Sequence, residues 1–295
     1  MKAMEGTFVA VQNILYATDF SPIAENAAAY ALELARSYKA KVHALHVRPI
    51  EIYGMAPPES WPVLRETAEA QAKEEANQLA HTFEGVEHEA VIADGDVWEQ
   101  IADQIAKEHI DLIVMGTHGR KGLQKVFLGS VAENVLRRAE CPVLTVGPQV
   151  RVGPERCVAM KHILLAANFS PASETAAGYA LSLAQESQAL LDIVHVIEPP
   201  KASEAARTAE LTAGYLSRMR AMIPPEAELW CEPNTMVEVG EPAEQILNVA
   251  KARRADLIVL GIKSASAAPG ATHIPWATAH RIIAAAECPV LTVRA

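Results

Sequence analysis

The sequence predicts an α/β protein built from two tandem doubly wound domains, each with a five-stranded parallel sheet and helices on both faces. Two observations carry this prediction. The 295-residue chain repeats itself, and in each copy short apolar segments alternate with segments of helical apolar spacing. Short apolar strands separated by helices are typical of a parallel sheet that is covered on both faces.

The repeat is visible in two stretches. Ile14–Ala35 aligns with Ile163–Ala184, and 14 of the 22 positions are identical. The segment "AECPVLTV" at Ala139–Val146 recurs unchanged at Ala286–Val293. A Gly-, Pro- and Arg-rich segment separates the copies, so the predicted division is a first domain over 10–148, a linker over 149–159 and a second domain over 160–295.

The elements of the first copy follow in order. The predicted strands are Asn13–Thr18, Ala40–Val47, Glu87–Ala93, Asp111–Gly116 and Pro142–Gly147. The predicted helices are Ser21–Lys39, Arg65–Phe83, Trp98–His109 and Ser130–Glu140. The first helix opens on Ser-Pro, a frequent helix start, and the second is rich in polar residues and alanine, which predicts an exposed face.

Composition excludes several classes of protein. The formal net charge of −10 disfavours nonspecific binding to nucleic acid, which needs a basic surface. The apolar runs are too short to span a bilayer, and no apolar core of a secretory signal is visible near the start. The four cysteines show no CxxC pairing, which favours reduced thiols and a cytoplasmic location.

The motif with the most chemical content is "GTHGRKGLQKVFLGS", from Gly116 to Ser130. It follows the fourth predicted strand, at the carboxyl edge of the sheet, where ligands of such folds bind. Its glycines allow close approach to the backbone, and the helix that begins near Ser130 offers amide groups suited to phosphate. Arg120, Lys121 and Lys125 add positive charge to an acidic protein.

The same residues have a structural interpretation. "SVAE" fits a capping box, in which Ser130 caps the helix and Glu133 reaches back to it. The loop is neither a Walker A loop nor a GxGxxG turn after the first strand. No His, Cys or carboxylate set has metal-ligand spacing, so any metal is expected to be Mg²⁺ that arrives with a nucleotide.

Together, "ILYATDFSP", "LHV", "GTHG" and "GSVAENVLRRAECPVLTV" resemble the universal stress protein family across both copies. The ATP-binding members of that family carry G-x2-G-x9-G-(S/T), which Gly116, Gly119, Gly129 and Ser130 spell here. The resemblance implies ATP across the carboxyl edge of the sheet. The implied ligand-binding residues are Ala17, Thr18 and Asp19 at the adenosine, Val47 at the adenine, Met115 and Gly116 at the ribose, His118, Gly119 and Arg120 along the phosphates, and the amides of Gly129, Ser130 and Val131 at the phosphate tail.

Four side chains have competing interpretations. Asp19 either contacts the ligand or organises the turn into the first helix. His46 and its counterpart His195 are expected to be structural rather than catalytic. His118 either contacts phosphate or is a solvent-facing turn residue.

The second copy departs from the motif. Asn168 replaces the aspartate and Ser264 the second glycine, while Trp276 and Ala277 stand at the places of Gly129 and Ser130. Pro269 and Pro275 remove amide donors nearby. The second copy is therefore predicted to bind ATP weakly or not at all, although Gly261, Asn168 and Val196 persist and, with Lys263 or Thr278, leave a different ligand open.

The resemblance implies an ATP-binding protein that acts through a conformational change or a partner, and not an enzyme. A slow ATPase or nucleotidyl-transferase-like enzyme and a nucleotide-free interaction scaffold are the alternatives. The identical last strands are expected to pair within the chain, as edges of related single-domain proteins do in dimers. A homodimer of whole chains and an unknown protein partner stay open.

Overall fold

The computed structural model describes residues 9–48, 61–119, 128–153, 158, 160–197, 208–225, 227, 233–262 and 276–295. Its strands are β1 (Asn13–Thr18), β2 (Lys41–Arg48), β3 (His88–Asp94), β4 (Leu112–Gly116), β5 (Val143–Val146), β6 (His162–Ala166), β7 (Leu190–Ile197), β8 (Asn234–Val239), β9 (Leu257–Gly261) and β10 (Val290–Val293). Its helices are α1 (Pro22–Tyr38), α2 (Trp61–Thr82), α3 (Val97–Glu108), α4 (Ser130–Arg138), α5 (Pro171–Ser187), α6 (Thr208–Ala221), α7 (Pro242–Arg253) and α8 (Trp276–Ala285).

These strands form one sheet, in the order β3-β2-β1-β4-β5-β10-β9-β6-β7-β8. Within each copy neighbouring strands are parallel, as the sequence predicted. The copies meet where β5 pairs antiparallel with β10, with Leu144 opposite Leu291. The two strands expected to pair with each other thus lie at the centre of a continuous sheet rather than at an edge.

The strand order places a switch point in each copy. In the first copy the connection from β1 runs to β2 on one side, and the connection from the adjacent β4 runs to β5 on the other. The loops after β1 and β4 therefore diverge and leave a crevice at the carboxyl edge of the sheet.

Helices cover both faces of the sheet. Successive residues of a strand point to opposite faces, so Ile14 and Tyr16 belong to one buried cluster and Leu15 to the other. The first cluster takes its helical residues from α1, α2, α5 and α6, and the second takes them from α3, α4, α7 and α8. Each copy therefore supplies two helices to each layer.

Caps explain where the helices begin and end. The hydroxyl of Ser21 accepts a hydrogen bond from the amide of Ala24 at 3.2 Å, so α1 begins at Pro22 rather than at the serine. Lys39 has a φ of 55°, and this left-handed residue ends α1. The second helix begins at Trp61, four residues before the predicted start.

Two further observations concern the state of the cysteine thiols and the apolar character of the helices. Cys141 and Cys288 are free thiols, and burial raises their pKa to about 11 and about 12, so both are protonated at neutral pH. Within the described ranges, no helix combines the length and the apolar character needed to cross a membrane.

Candidate functional site

A cavity of about 570 Å³ opens at the carboxyl edge of the first copy, at the β1–β4 switch point. The ends of β1, β2 and β4 form its floor, α3 one wall and the first turn of α4 another. Its volume lies in the range of small-molecule sites, which is about 300–1,000 Å³.

The structure brings the residues of the sequence motif together here. Eleven of the twelve predicted ligand-binding residues line the cavity: Ala17, Thr18, Asp19, Val47, Met115, Gly116, His118, Gly119, Gly129, Ser130 and Val131. The twelfth, Arg120, lies outside the described residues, as do Lys121 and Lys125. Their contact with a ligand stays a prediction.

Sequence reasoning missed six further lining residues: Ala24, Leu45, Val97, Ile101, Thr117 and Ala132. Val97 and Ile101 are four positions apart on α3, so the sequence predicts that they share one face of the helix. The sequence does not predict which edge of the sheet this face covers. Leu45 is two residues before Val47 on β2 and therefore on the same face of the sheet.

Two glycines of the motif lie where a side chain would meet a close neighbour. A Cβ at Gly119 would lie 2.6 Å from Oδ2 of Asp19, and one at Gly129 would lie 3.1 Å from the carbonyl oxygen of Thr117. The described parts of the loop after β4, residues 117–119 and 128–129, therefore lie close to each other and to Asp19, and a side chain at either glycine would need a neighbour to shift.

The amino end of α4 has no side-chain cap. Gly129 is its N-cap residue, Ser130 is its exposed first residue, and Glu133 pairs with Arg137 at 2.8 Å instead of reaching back. The capping-box interpretation is therefore wrong. Of the three amides expected at the phosphate tail, that of Gly129 donates a hydrogen bond to the carbonyl of Thr117 at 2.8 Å. The other two, those of Ser130 and Val131, belong to the first turn of α4, where amides have no partner within the helix.

His118 is buried in the cavity wall. The residue is only 7% exposed, and its Nδ1 lies 2.9 Å from the hydroxyl oxygen of Thr117. Its Nε2 is buried and has no hydrogen-bond partner in the parts of the chain that the structure describes. The alternative of a solvent-facing residue is therefore wrong, and contact with a ligand stays a prediction.

The loop after β1 is held from both sides. Oδ1 of Asp19 accepts a hydrogen bond from the amide of Ser21 at 3.0 Å, so the aspartate organises the turn while it also lines the cavity. Nδ1 of His46 lies 2.7 Å from the carbonyl of Thr18, and its ring packs on Phe20 at 4.7 Å. These contacts give His46 the structural role that the sequence predicted.

The second copy keeps the turn but changes the loop. Oδ1 of Asn168 accepts from the amide of Ser170 at 3.2 Å, as Asp19 does in the first copy. Trp276 begins α8, and the guanidinium of Arg137 lies 4.6 Å from its ring. A Cβ at Gly261 would lie 2.4 Å from the backbone of Ala172, so packing alone explains this glycine. Lys263, Ser264, Pro269 and Pro275 lie outside the described residues.

Comparison with known proteins gives a consistent result. A sequence model of the universal stress protein family matches residues 10–147 and again 160–294. Universal stress protein MJ0531 of Methanocaldococcus jannaschii is 34% identical over 138 residues, which are 46% of this chain and 81% of that protein. Universal stress protein Rv2005c of Mycobacterium tuberculosis is 26% identical over 252 residues, 80% of each chain. A crystal structure of a universal stress protein from Archaeoglobus fulgidus has a similar fold, with a TM-score of 0.68 over 96% of this chain and 98% of that one at 22% identity.

Proposed function

The chain belongs to the universal stress protein family, because both of its copies match the family model. We propose that its first copy binds ATP at the carboxyl edge of the sheet. The observation that carries the proposal is the cavity of about 570 Å³ bounded by the uncapped amino end of α4. Its two ends differ in chemistry in the way that a nucleotide requires.

The end of the cavity toward β2 and α3 suits a base. Leu45, Val47, Val97 and Ile101 line it, and Leu45 and Ile101 are almost completely buried. An adenine ring placed against them would lose contact with water at little cost, while backbone groups at the strand ends supply its hydrogen bonds.

The end of the cavity toward β4 and α4 suits phosphate. The amides of Ser130 and Val131 lie at the positive end of the α4 dipole, where an anion is stabilised. His118 also lines the cavity and adds an imidazole to its polar wall. Mg²⁺ would enter with the nucleotide, and the carboxylate of Asp19 is the anionic side chain that lines this cavity among the described residues.

We further propose binding without efficient turnover. In the described part of the chain, Asp19 and His118 are the titratable side chains of the cavity, and each already has a hydrogen-bond partner that fixes its orientation. Phosphoryl transfer needs a group that orients the attacking water and cations that neutralise the developing charge. The protein would then act as a nucleotide-dependent regulator in a stress response, and the second copy would serve as its structural partner.

Titration calorimetry with ATP tests the proposal, in the presence and absence of Mg²⁺. We expect one ATP per chain, and at least about a tenfold loss of affinity in Gly129→Trp, because the indole would occupy the phosphate end of the cavity. This variant places in the first copy the residue that the second copy carries as Trp276. Gly178→Ala is the matched control, since a Cβ at Gly178 meets nothing within 4 Å.

Three results would contradict the proposal. Two ATP molecules per chain would show that the second copy binds as well. Absence of binding to nucleotide-free protein would leave a scaffold whose glycines are structural. Phosphate release far above that of Gly129→Trp would show an ATPase.

A further inference from the structure

Three side chains of the first copy meet near the amino ends of the strands, away from the ATP cavity. His43 lies in β2, Glu89 is its register partner in β3, and Glu108 is the last residue of α3. One potential metal-ligand atom from each lies within 4.8 Å of the other two. Val47 in the cavity lies four positions after His43 in β2, roughly 13 Å along the strand.

The imidazole of His43 has an unusual environment. The side chain is 1% exposed, and its Nε2 lies 3.4 Å from Oδ1 of Asn13. Its Nδ1 is buried, and no described residue offers it a hydrogen bond. This nitrogen faces Oε2 of Glu89 at 3.9 Å and Oε2 of Glu108 at 4.0 Å, distances too long for hydrogen bonds.

A protonated His43 would give these carboxylates a partner without any ligand. Burial, however, lowers the pKa of His43, and the ammonium group of Lys41 lowers it further, while Glu108 and Glu89 act in the opposite direction. In the tautomer whose Nε2–H donates to Oδ1 of Asn13, the lone pair of Nδ1 faces the two carboxylate oxygens, and a cation between them would bind to all three atoms.

The second copy has a complete set of partners at the same place. Asp192 stands where the first copy has His43, and it is fully buried. Its carboxylate receives hydrogen bonds from His162 at 2.8 Å and Asn234 at 3.0 Å, and Arg253 lies 3.6 Å away. Asn234 and Arg253 correspond to Glu89 and Glu108 by register and by position at the helix end. The same fold thus satisfies the buried group internally in one copy and not in the other.

We propose that His43, Glu89 and Glu108 bind one first-row divalent cation, with Zn²⁺ as the best match. A neutral imidazole and two carboxylates are ligands of the type that Zn²⁺ accepts, with bonds of about 2.0–2.2 Å and a fourth position for water. The carboxylates must close by roughly an ångström to reach tetrahedral spacing, which their partly exposed side chains permit. The ion would tie the end of α3 to β2 and β3.

Two lysines compete with the cation. Lys41 lies 2.8 Å from Oε2 of Glu89, the same oxygen that faces His43, whereas Lys107 lies 2.8 Å from the other oxygen of Glu108. Exposed ion pairs contribute little to stability, so a divalent cation would displace Lys41 at small cost. Removal of Lys41 should therefore strengthen cation binding, a result that a purely structural cluster does not predict.

Zinc titration of the metal-free and nucleotide-free full-length protein tests the site, with a competing chromophoric chelator as the readout. We expect one Zn²⁺ per chain, about a 100-fold loss of affinity in the Glu89→Gln/Glu108→Gln double variant, and a severalfold gain in Lys41→Gln. The glutamine substitutions are isosteric and leave the buried histidine in place. Mg²⁺ and Ca²⁺, which prefer all-oxygen ligands, should not compete.

Two control variants separate this site from adventitious binding. His81→Gln/Glu84→Gln removes an exposed histidine–carboxylate pair of 3.1 Å at the carboxyl end of α2 and should leave zinc affinity unchanged. Asn13→His/His43→Asp/Glu89→Asn/Glu108→Arg grafts the second copy's set onto the first and should abolish binding in a folded protein. Unchanged affinity in the double glutamine variant, or no binding at millimolar Zn²⁺, would overturn the proposal.

Discussion

His46 and His195 occupy equivalent positions, and each holds the loop after the first strand of its copy. Nδ1 of His195 lies 2.7 Å from the carbonyl of Ala167, as that of His46 does from Thr18. In the second copy the ring also packs on Phe169 at 4.7 Å and on Tyr215 at 4.3 Å. The pKa of His195 is lowered, first by burial and then by Arg218, against the opposing effect of the bond to Ala167.

We predict that His195 titrates below the ordinary histidine value of about 6.5. Between the two pKa values the imidazole is protonated in the unfolded chain and neutral in the folded protein. The free energy of unfolding should therefore fall as pH decreases from about 6.5 toward the folded-state pKa. The check is an NMR titration of the imidazole Cε1 proton, assigned with His195→Gln.

Arg218→Gln provides the comparison for this titration. Because the guanidinium is a secondary cause of the shift, its removal should raise the midpoint of His195. A wild-type midpoint at or above 6.5 would contradict the assignment of a buried neutral ring.

Among the elements, α1, α5 and α4 show that a serine at a helix start has two different roles. Ser21 and Ser170 are N-cap residues whose hydroxyls accept from the amides of Ala24 and Ser173, both at 3.2 Å. Ser130 comes one position later, inside α4, and the cap position belongs to Gly129. No described side chain caps the amino end of α4, as the proposed phosphate site requires.

Alanine substitutions distinguish these roles. We expect Ser21→Ala and Ser170→Ala each to lower the free energy of unfolding by about 1 kcal/mol, because an amide in the first turn of the helix loses its hydrogen-bond acceptor. Ser130→Ala should stay within about 0.5 kcal/mol, since the exposed hydroxyl caps nothing. Denaturant midpoints measure all three, and an equal loss in Ser130→Ala would restore the capping box.

At the scale of the whole molecule, the two copies share one sheet, and each of the two buried clusters contains residues of both copies. Thr145 and Thr292 each donate a hydroxyl hydrogen bond across the β5–β10 junction, to the carbonyls of Val290 and Val143. Leu144 and Leu291, opposite each other at the junction, are both 2% exposed and belong to the same buried cluster. The stability of each copy therefore depends on the other.

Leu144→Ala should lower the free energy of unfolding by about 2–5 kcal/mol through lost burial and a residual cavity. The double variant with Leu291→Ala should lose less than the sum of the single variants, because the two side chains share one environment. Leu190→Ala, at a side chain 63% exposed, is the control and should change little. Additive losses would show that the copies are stabilised independently of the junction.

Several features were readable from local sequence. The repeat, the strand and helix order and the helix start at Ser21-Pro22 follow from patterns of a few residues, and the structure confirms them. The glycine spacing from Gly116 to Ser130 predicted a ligand site after β4, and the cavity lies there. Local patterns gave the wrong cap for α4. Gly129 and Ser130 are adjacent in the sequence, and only the path of the backbone decides which of them is the cap residue.

By itself the sequence determined the family, the α/β class, the two copies and the side chains available at the carboxyl edge, since these depend on residue order and periodicity. Only the tertiary structure decided that α3 would cover the cavity and that His118 would be buried in its wall. It alone also placed Glu89 and Glu108 around His43. The physical reason is that β2, β3 and α3 are brought together by parallel pairing and crossover packing, which join residues up to 65 positions apart without any local signal.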